Sequence, residues 1–469
     1  MSVASGEPRR ATGGLIAVAV TLGLLAAAVT YLPVPGVPEW ARFAVASLLV
    51  AGTAFVPGVG LPVVVAALFG AVGLRDLAVA SAMWGNLFFV VLVGALIAVI
   101  VHAVRSGHPI AWRLTPLEWA MLGMLGAGLW SLPASLDPAA SIAYLGRMSL
   151  LAAAGLLVSR VMRSPRRIRA SLDVFVAVSV ALALLALAQW AAPDLGIGRI
   201  HVPSINAADV TVRPSGFYLD PNFLGAHLSI AALAVLASAA RSKRRWWPIA
   251  AAVLLFAAVA VTYSRSAWLA AAVGLVTLAL LGGRRARVAV AVALLVGLVA
   301  GAALVGPERL LGRAASVIEA GPESAGATRI GMARSSLAMI ADRPVFGTGL
   351  EAFDEAYPDY RLPGAEATIT HPHQVPLAFI AETGVAGALA LLGLIAATLV
   401  TARRLSTGEP AVRAALLAGV VAIAAGALFQ FFLYWEVAWL WAGLLSAAGA
   451  LLRPERSACA SGGADSGKE

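Results

Sequence analysis

Long apolar runs recur along nearly the whole chain, and they restrict its fold more than any other feature. Of the 469 residues, 60% are hydrophobic and 12% are charged, whereas a soluble protein is about 45–50% apolar and about one quarter charged. A membrane-spanning helix needs about 20 apolar residues, and backbone polar groups in lipid must bond within their own segment. The composition therefore excludes a soluble enzyme, a disordered chain and a disulfide scaffold, and it predicts an all-α polytopic membrane protein.

The apolar runs predict about 12–14 transmembrane helices. The two runs on either side of the turn at 57–60 form either two spans or one re-entrant hairpin, so both counts stay open. The first run follows Arg9 and Arg10 like a signal peptide, but because so many spans follow it we interpret it as a retained anchor. The runs lie near residues 13–32, 41–56, 60–74, 80–104, 115–133, 140–161, 170–191, 222–240, 247–263, 266–282, 288–305, 375–402, 411–432 and 434–452.

Basic residues are clustered in the segments between these runs. With the N-terminus in the cytoplasm, every cluster falls on the cytoplasmic side under either count, as the positive-inside rule requires. The net charge of +10 therefore reflects membrane topology and not a nucleic-acid partner, and both termini are predicted to be cytoplasmic. The single cysteine, Cys459, lies in a polar tail, which excludes disulfides and cysteine-ligated metal sites. The clusters lie at residues 160–169, 241–245, 284–287, 403–404 and 453–456.

The same parity leaves one sizeable polar segment outside the membrane, a loop of mixed charge. A loop of this length between spans is uncommon unless it is functional. Within it, residues 328–342 predict an amphipathic helix with Ile330, Leu337 and Ile340 among its apolar positions. The predicted regions are N-terminal transmembrane helices (1–191), central transmembrane helices with short periplasmic segments (192–305), the large periplasmic loop (306–374), C-terminal transmembrane helices (375–452) and a flexible cytoplasmic tail (453–469).

Three short polar stretches lie at the predicted outward-facing ends of apolar helices, at residues 213–222, 262–266 and 371–374. Arg213 and Arg265 in the first two stretches have two interpretations. An interfacial arginine often only extends its charged head into water, but a guanidinium also matches phosphate oxygens with five donors in a fixed fork. The tight turn around Arg265 separates it from the cytoplasmic clusters, so an anion site is favoured there, whereas both interpretations stay open for Arg213.

Two histidines, His371 and His373, lie where the loop meets the next span. An interfacial histidine is usually only a hydrogen-bonded polar residue, but histidine titrates near neutral pH and can serve as a general base. A spacing of two residues on a helix would point the rings apart, and no cysteine or carboxylate cluster supports zinc, so no metal is predicted. The glycines at 347 and 349 follow no strand of a βαβ unit, and they predict a turn and not a phosphate loop.

These stretches resemble motifs of the O-antigen ligase and O-antigen polymerase superfamily of bacterial membrane glycosyltransferases, in the family's order. Residues 213–222, Arg-Pro-Ser-Gly-Phe-Tyr-Leu-Asp-Pro-Asn, resemble its Arg-x-x-Gly … Pro-Asn motif. Residues 264–269, Ser-Arg-Ser-Ala-Trp-Leu, resemble its Ser-Arg-x-x-x-Leu turn. Arg329 together with residues 343–350 resembles the Arg … Pro-x-x-Gly-x-Gly stretch of its periplasmic loop.

Residues 373–384 resemble the His-Asn-x-x-Leu … Ala-Glu-x-Gly segment that closes the loop in this family. Counting back from Glu382 assigns the family histidine to His373, not His371. Gln374 stands where the family usually has asparagine, a replacement that still donates and accepts hydrogen bonds. The resemblance is specific over residues 200–390, and the flanking spans match only as hydrophobic helices.

The resemblance implies a glycan transferase at the periplasmic face of the bacterial inner membrane, without a cofactor. The donor would be a saccharide on undecaprenyl diphosphate, and the acceptor a hydroxyl of a glycan or a glycolipid. His373 is the expected general base, and arginines would stabilise the diphosphate charge without a metal ion. No separate carboxylate has a claim to be a nucleophile, so single displacement with inversion is the simpler hypothesis. The residues expected to bind substrate are Arg213, Arg265, Arg329, Asn222 and Gln374.

Several functions share these motifs. Ligation to a lipid A core, polymerisation of repeat units and transfer to protein differ in the acceptor, and we weakly favour a ligase over a polysaccharide polymerase. A lipid-linked glycan flippase or transporter is the alternative of another class, and it would need ionisable residues near the middle of the membrane. Few candidates exist, since Asp173 and Glu436 lie near helix ends and Asn86 is uncharged. The sequence does not indicate the oligomeric state.

Overall fold

The computed structural model describes residues 38–56, 59–74, 86–106, 113–197, 199–201, 212–239, 246–308, 312, 325–363, 371–405 and 409–451. Within these residues we number 15 α-helices and a two-stranded antiparallel ribbon, and three short 3₁₀ turns accompany them. The helices are α1 Glu39–Thr53, α2 Gly60–Ala71, α3 Leu87–Ser106, α4 Pro116–Ser131, α5 Pro138–Val161, α6 Pro165–Ala191, α7 Pro221–Ala239, α8 Trp246–Val261, α9 Arg265–Leu281, α10 Arg284–Val305, α11 Ala325–Asp342, α12 Phe353–Tyr360, α13 Val375–Arg404, α14 Pro410–Ala427 and α15 Glu436–Ala450; the strands are β1 Arg199–His201 and β2 Arg213–Gly216.

The apolar runs read from the sequence coincide with these helices, and the protein is an all-α polytopic membrane protein as predicted. The run at 13–32 lies outside the described residues. Six helices, α3, α5, α6, α7, α13 and α14, are at least 18 residues long and apolar enough to cross a membrane. The helices on either side of residues 57–60, α1 and α2, have only 15 and 12 residues, and the choice between 12 and 14 spans stays a prediction.

Local signals in the sequence explain where several spans begin. Helices α4, α5 and α6 each start with a proline, which lacks the amide that the first turn of a helix leaves unbonded. The residue before each proline caps the helix: the Thr115, Asp137 and Ser164 side chains accept a hydrogen bond from a backbone amide of the first turn. Such a cap contributes about 1 kcal/mol, so these three boundaries follow from local chemistry.

The helix bundle has two opposite faces at which the helices begin and end. At the first, which we call the loop end, residues 343–363 dock where α4 ends and α5 begins. The Trp130 indole donates a hydrogen bond to the Val345 carbonyl at 2.9 Å, and the Ser141 hydroxyl donates to the Leu350 carbonyl at 2.6 Å. The polar loop is therefore held against the bundle over its central part.

At the second end, which we call the basic end, α4, α6 and α14 begin and α5, α13 and α15 finish. Glu118 in the first turn of α4 forms an ion pair with Arg160 in the last turn of α5, at 2.8 Å. Arg169 near the start of α6 pairs with Glu409, which precedes α14. These contacts join helix ends that the predicted parity assigns to one side of the membrane. Which end faces the periplasm, and the domain boundaries, remain predictions.

The predicted amphipathic helix lies at α11. Of its predicted apolar positions, Ile330 and Leu337 are 58% and 54% exposed, and Ile340 packs against the cluster formed with α12 and α13. Met332 and Met339 are the residues of α11 buried in that cluster. Two small serines beside the methionines complete the buried face, because close helix packing and not hydrophobicity selects the residues at this contact.

Candidate functional site

Arg213 brings two of the three predicted polar stretches together. It begins strand β2, and its Nε donates a hydrogen bond to the Thr262 carbonyl at 2.9 Å. One terminal guanidinium nitrogen donates to Asn222 Oδ1 at 3.1 Å. Since Thr262 lies in the turn between α8 and α9, the guanidinium joins the 213–222 stretch to the 262–266 stretch across 49 residues of sequence.

Arg265 occupies the first position of α9, directly after this turn. The Ser264 side chain caps the helix by accepting from the Ala267 amide at 3.3 Å, and its own amide donates to Thr262 Oγ1 at 3.3 Å. Arg265 is half-buried at the loop end. A helix N-terminus favours negative charge because its amides and dipole point outward, so the helix and its first side chain favour the same kind of ligand.

The third stretch brings the rings of His371 and His373 close together, inclined to each other by 60°. Their ring centroids lie 4.7 Å apart, so the expectation that the rings point apart is wrong. That expectation assumed a helix, whereas α13 begins only at Val375, and His373 has a positive φ of 40°. Gln374 follows His373 in the sequence and directly precedes α13, and its side chain is half-buried.

Asp220 connects the histidines to the Arg213 group. Its Oδ1 accepts from the Asn222 amide at 2.7 Å, and its Oδ2 accepts from Gln430 Nε2 at 3.4 Å. Burial, followed by the charge of His373, lowers the pKa of His371 to about 4, although the Asp220 carboxylate acts in the opposite direction. His371 is therefore neutral at physiological pH, and the Asp220 carboxylate lies near enough to His371 to act on it electrostatically.

Arg329 is linked to this group through the packing of its helix. It lies half-buried on α11, three residues before Met332 and hence on the same helix face. Met332 packs with Phe353 and Ala381, near the start of α13. The structure thus brings Arg213, Asn222 and the turn before Arg265 into direct contact, and Arg329 lies on α11, which packs against α13.

Backbone strain is concentrated around the same group. Among the described residues, three that are not glycine have a positive φ: Tyr263 at 52°, Glu351 at 57° and His373 at 40°. This region is uncommon for residues with a Cβ, and such strain costs about 1–3 kcal/mol and persists where surrounding contacts enforce it, often at functional sites. Two of the three residues lie directly beside Arg265 or at the predicted base.

A group of buried carboxylates and tyrosines next to the histidines is absent from the sequence-based prediction. The Tyr144 hydroxyl faces the Glu351 carboxyl, and Glu382 lies next to Glu351. Tyr434 packs against Tyr144 at 5.0 Å between ring centroids, and the Arg147 guanidinium lies 5.8 Å from the Tyr434 ring. The Phe431 ring connects this group to His371.

Sequence reasoning found no carboxylate with a chemical claim because these residues come from four separate parts of the chain. The only local signal was the position of Glu382 inside the segment that resembles the family, and of Glu351 directly after the Gly-x-Gly turn. Within the described residues, the Tyr434 hydroxyl faces the Glu351 carboxyl, and Oε2 of Glu382 is buried without a hydrogen-bond partner. Buried polar atoms in native proteins normally have one, which marks this group as a functional candidate.

The raised pKa of Glu351 should make the free energy of unfolding depend on pH. Burial raises its pKa from 4.5 to about 7, so the folded protein retains a proton that the unfolded chain releases, and stability falls as pH rises from about 4.5 to 7. We expect Glu351→Gln to remove roughly 2 kcal/mol of this loss, measured as melting temperatures in detergent at pH 5 and pH 8. The exposed Glu355→Gln serves as the control; an unchanged pH dependence in Glu351→Gln would contradict the assignment.

The Pro-x-x-Gly-x-Gly and Ala-Glu-x-Gly segments form a backbone clasp with each other. The Thr348 amide donates to the Ala381 carbonyl at 3.0 Å, and the Gly349 amide donates to the Glu382 carbonyl at 2.9 Å. These carbonyls are released from the helix because α13 kinks at Gly384, with φ 61° and ψ −145°. The amides of the Gly-x-Gly turn are thus used within the fold, in agreement with a turn and not a phosphate loop.

The clasp should tolerate no side chain at its contact points. A Cβ at Gly347 would overlap the backbone of Glu382, and its φ of +72° already disfavours any other residue. We expect Gly347→Ala to destabilise the protein by about 2–4 kcal/mol, seen as a lower melting temperature and faster proteolysis of 343–363. Gly331→Ala, whose Cβ would meet nothing within 4 Å, should be neutral or slightly stabilising; equal effects would contradict the clasp.

A buried histidine that sequence reasoning missed anchors the Arg213 stretch. His227 on α7 is fully buried, and its Nδ1 pairs with the Tyr218 hydroxyl at 2.7 Å while its Nε2 pairs with the Ser179 hydroxyl at 2.8 Å. Tyr218 is itself buried, so the turn that follows β2 is fixed to two spans. An ionisable residue inside a span is unusual, and here it holds the turn between Arg213 and Asn222.

Residues 250–392 match the family model described as O-antigen ligase, a range that includes Arg265, Arg329, His373 and Gln374 but not Arg213 or Asn222. No curated protein matches the chain. Among the described residues, no group of three or more histidine, cysteine, aspartate or glutamate side chains is arranged to hold a metal ion.

Proposed function

Because the chain carries the O-antigen ligase family domain at residues 250–392 and falls in the superfamily of these ligases and polymerases, we propose that it transfers a glycan from an undecaprenyl-diphosphate-linked donor to an acceptor hydroxyl. The observation that carries the proposal is the polar group at the loop end. There the Arg213 guanidinium joins Asn222 to the turn before Arg265, and Asp220 leads from this group to the histidines.

The reaction requires one proton to move and one bond to be exchanged. The acceptor hydroxyl oxygen attacks the anomeric carbon of the donor sugar, its proton passes to His373, and the bond from that carbon to the phosphate oxygen breaks. The lipid diphosphate leaves with the electron pair of this bond. Single displacement with inversion of the anomeric carbon is the simplest route, and it requires no step at Glu351 or Glu382.

Negative charge grows on the diphosphate oxygens as the bond breaks. Arg265 at the N-terminus of α9 is our choice for the main contact, because charge-assisted bonds from a preorganised guanidinium strengthen as that charge develops. Arg213 has two roles, holding the turn of α9 and adding positive charge. Arg329 on α11 is assigned to close over the diphosphate, and Asn222 and Gln374 to bind substrate hydroxyls or phosphate oxygens.

The orientation of the protein in the membrane follows from the same proposal. The loop end would face the periplasm and the basic end the cytoplasm of the bacterial inner membrane, with the glycan donor and the acceptor meeting at the bilayer surface. The clustering of arginines at the basic end supports this orientation through the positive-inside rule.

The decisive experiment uses the purified full-length protein in detergent, a lipid-diphosphate-linked saccharide, candidate acceptors and EDTA, followed by mass analysis of the products. Addition of a discrete glycan to a lipid or protein acceptor would identify a ligase, which is the result we expect. A ladder of lengthening glycan on the lipid carrier would identify a polymerase. No transfer to any acceptor, together with movement of the donor across liposomes, would overturn the catalytic proposal in favour of a flippase.

A further inference from the structure

An arginine-lined cavity opens at the basic end, on the opposite side of the bundle from the candidate site. It has a volume of about 390 Å³ and lies between the start of α4 and the ends of α5, α13 and α15. Four arginines from three separate segments line this one cavity. The arginines are Arg113, Arg160, Arg163 and Arg404.

The positive charge of the cavity exceeds the negative charge beside it. Glu118 is fully buried and pairs with Arg160 at 2.8 Å, and Arg160 also donates to the Arg113 carbonyl at 3.0 Å. Within the described part of the chain, Arg160 is the only one of the four in an ion pair, so four guanidinium groups face one carboxylate. Partial burial and the nearby charge of Arg160 lower the pKa of Arg163, which fits an uncompensated cationic cluster.

The remaining wall of the cavity is amphiphilic. The hydroxyls of Thr115 and Ser446 lie 2.7 Å apart on one side, and Val400 and Ala450 add apolar surface from the last turns of two spans. The small residue Gly449 lets α15 approach Thr401 closely, which brings the four helices together around the opening. A ligand here would meet guanidinium groups at the cavity mouth and hydrocarbon along the helices.

We propose that this cavity binds a phosphate group, and that the positive-inside arginines which line it form a specific site and not only a topological signal. Guanidinium groups match phosphate oxygens in fixed two-donor geometry, and basic pockets between spans at the cytoplasmic surface take anionic lipid headgroups. A phosphatidylglycerol-type headgroup and free inorganic phosphate share this chemistry. The site lies at the other end of the bundle from His373, so it is independent of the proposed transfer reaction.

The test measures both ligands on the full-length protein. Native mass spectrometry in detergent would follow binding of phosphatidylglycerol, with zwitterionic phosphatidylcholine, which carries no net charge, as the reference. A separate titration would use inorganic phosphate. The variant is Arg163→Glu with Arg404→Glu, which spares the Glu118–Arg160 pair. We expect it to weaken binding of one of the two phosphate ligands at least about tenfold. Loss of lipid binding identifies the headgroup as the source, and loss of phosphate binding identifies the free ion.

The matched control is Arg287→Glu, a charge reversal at an exposed arginine at the start of α10 and outside the cavity. It should change binding less than about twofold, since a distant surface charge contributes little. If Arg287→Glu weakens binding as much as the cavity variant does, or if the cavity variant binds both ligands like the original protein, the proposal is overturned. Should the double reversal fail to elute as a folded species, the neutral pair Arg163→Gln with Arg404→Gln replaces it.

Discussion

Replacing His373 with alanine is expected to abolish glycan transfer while the protein still inserts and folds. A positioned general base contributes about 10²–10⁴-fold to such a reaction, so the turnover number should fall by that factor with the same lipid-linked donor. His373 lies in the strained segment before α13, where its positive φ holds the ring next to His371. The measurement is transfer of a labelled saccharide by purified protein with a normal elution profile and melting temperature.

His371→Ala is the matched control for this prediction. Its ring lies 4.7 Å from that of His373 but has a pKa of about 4, which makes it a weak proton acceptor at neutral pH. The loss of rate should therefore be smaller, and it should reflect the position of His373 more than proton transfer. Full activity in His373→Ala, or an equal loss in the two variants, would remove His373 from the role of base.

Replacing Arg265 with alanine is expected to lower the turnover number by about 10²–10³-fold. In the proposed reaction the leaving diphosphate would gain negative charge in the transition state. Arg265 at the first position of α9 would supply positive charge there, at a helix end that already favours anions. Arg265→Lys should recover part of the rate, because lysine keeps the charge but loses the two-donor fork. Initial rates with saturating acceptor would measure both variants.

Arg285→Ala provides the control, since that arginine is exposed at the start of α10 and outside the candidate site. It removes the same charge from the same protein and should leave the rate within about twofold, because exposed charges farther away than a Debye length are screened. A wild-type rate in Arg265→Ala, with normal folding, would contradict the assignment of Arg265 to the diphosphate and leave Arg213 as the remaining candidate.

Much of the fold follows from the sequence alone. Apolar runs and their proline boundaries marked the apolar helices α1–α10 and α13–α15 to within several residues, because lipid requires long apolar segments with internal backbone bonding. The three polar stretches were also visible as local interruptions at helix ends, and the structure joins all three. The sequence predicted α11 as an amphipathic helix but did not identify Met332 and Met339 as the residues that pack with α12 and α13.

The arrangement of the site required the tertiary structure. Arg213 meets Thr262 across 49 residues, and Asp220 meets Gln430 across 210. The group around Glu351 draws on α5, the docked loop, α13 and the segment before α15, and no local pattern connects these parts. Hydropathy and residue spacing predict the secondary structure of each segment and whether that segment enters the lipid. Which polar side chains meet depends on how the helix ends pack together, and that is decided only when all the segments are assembled.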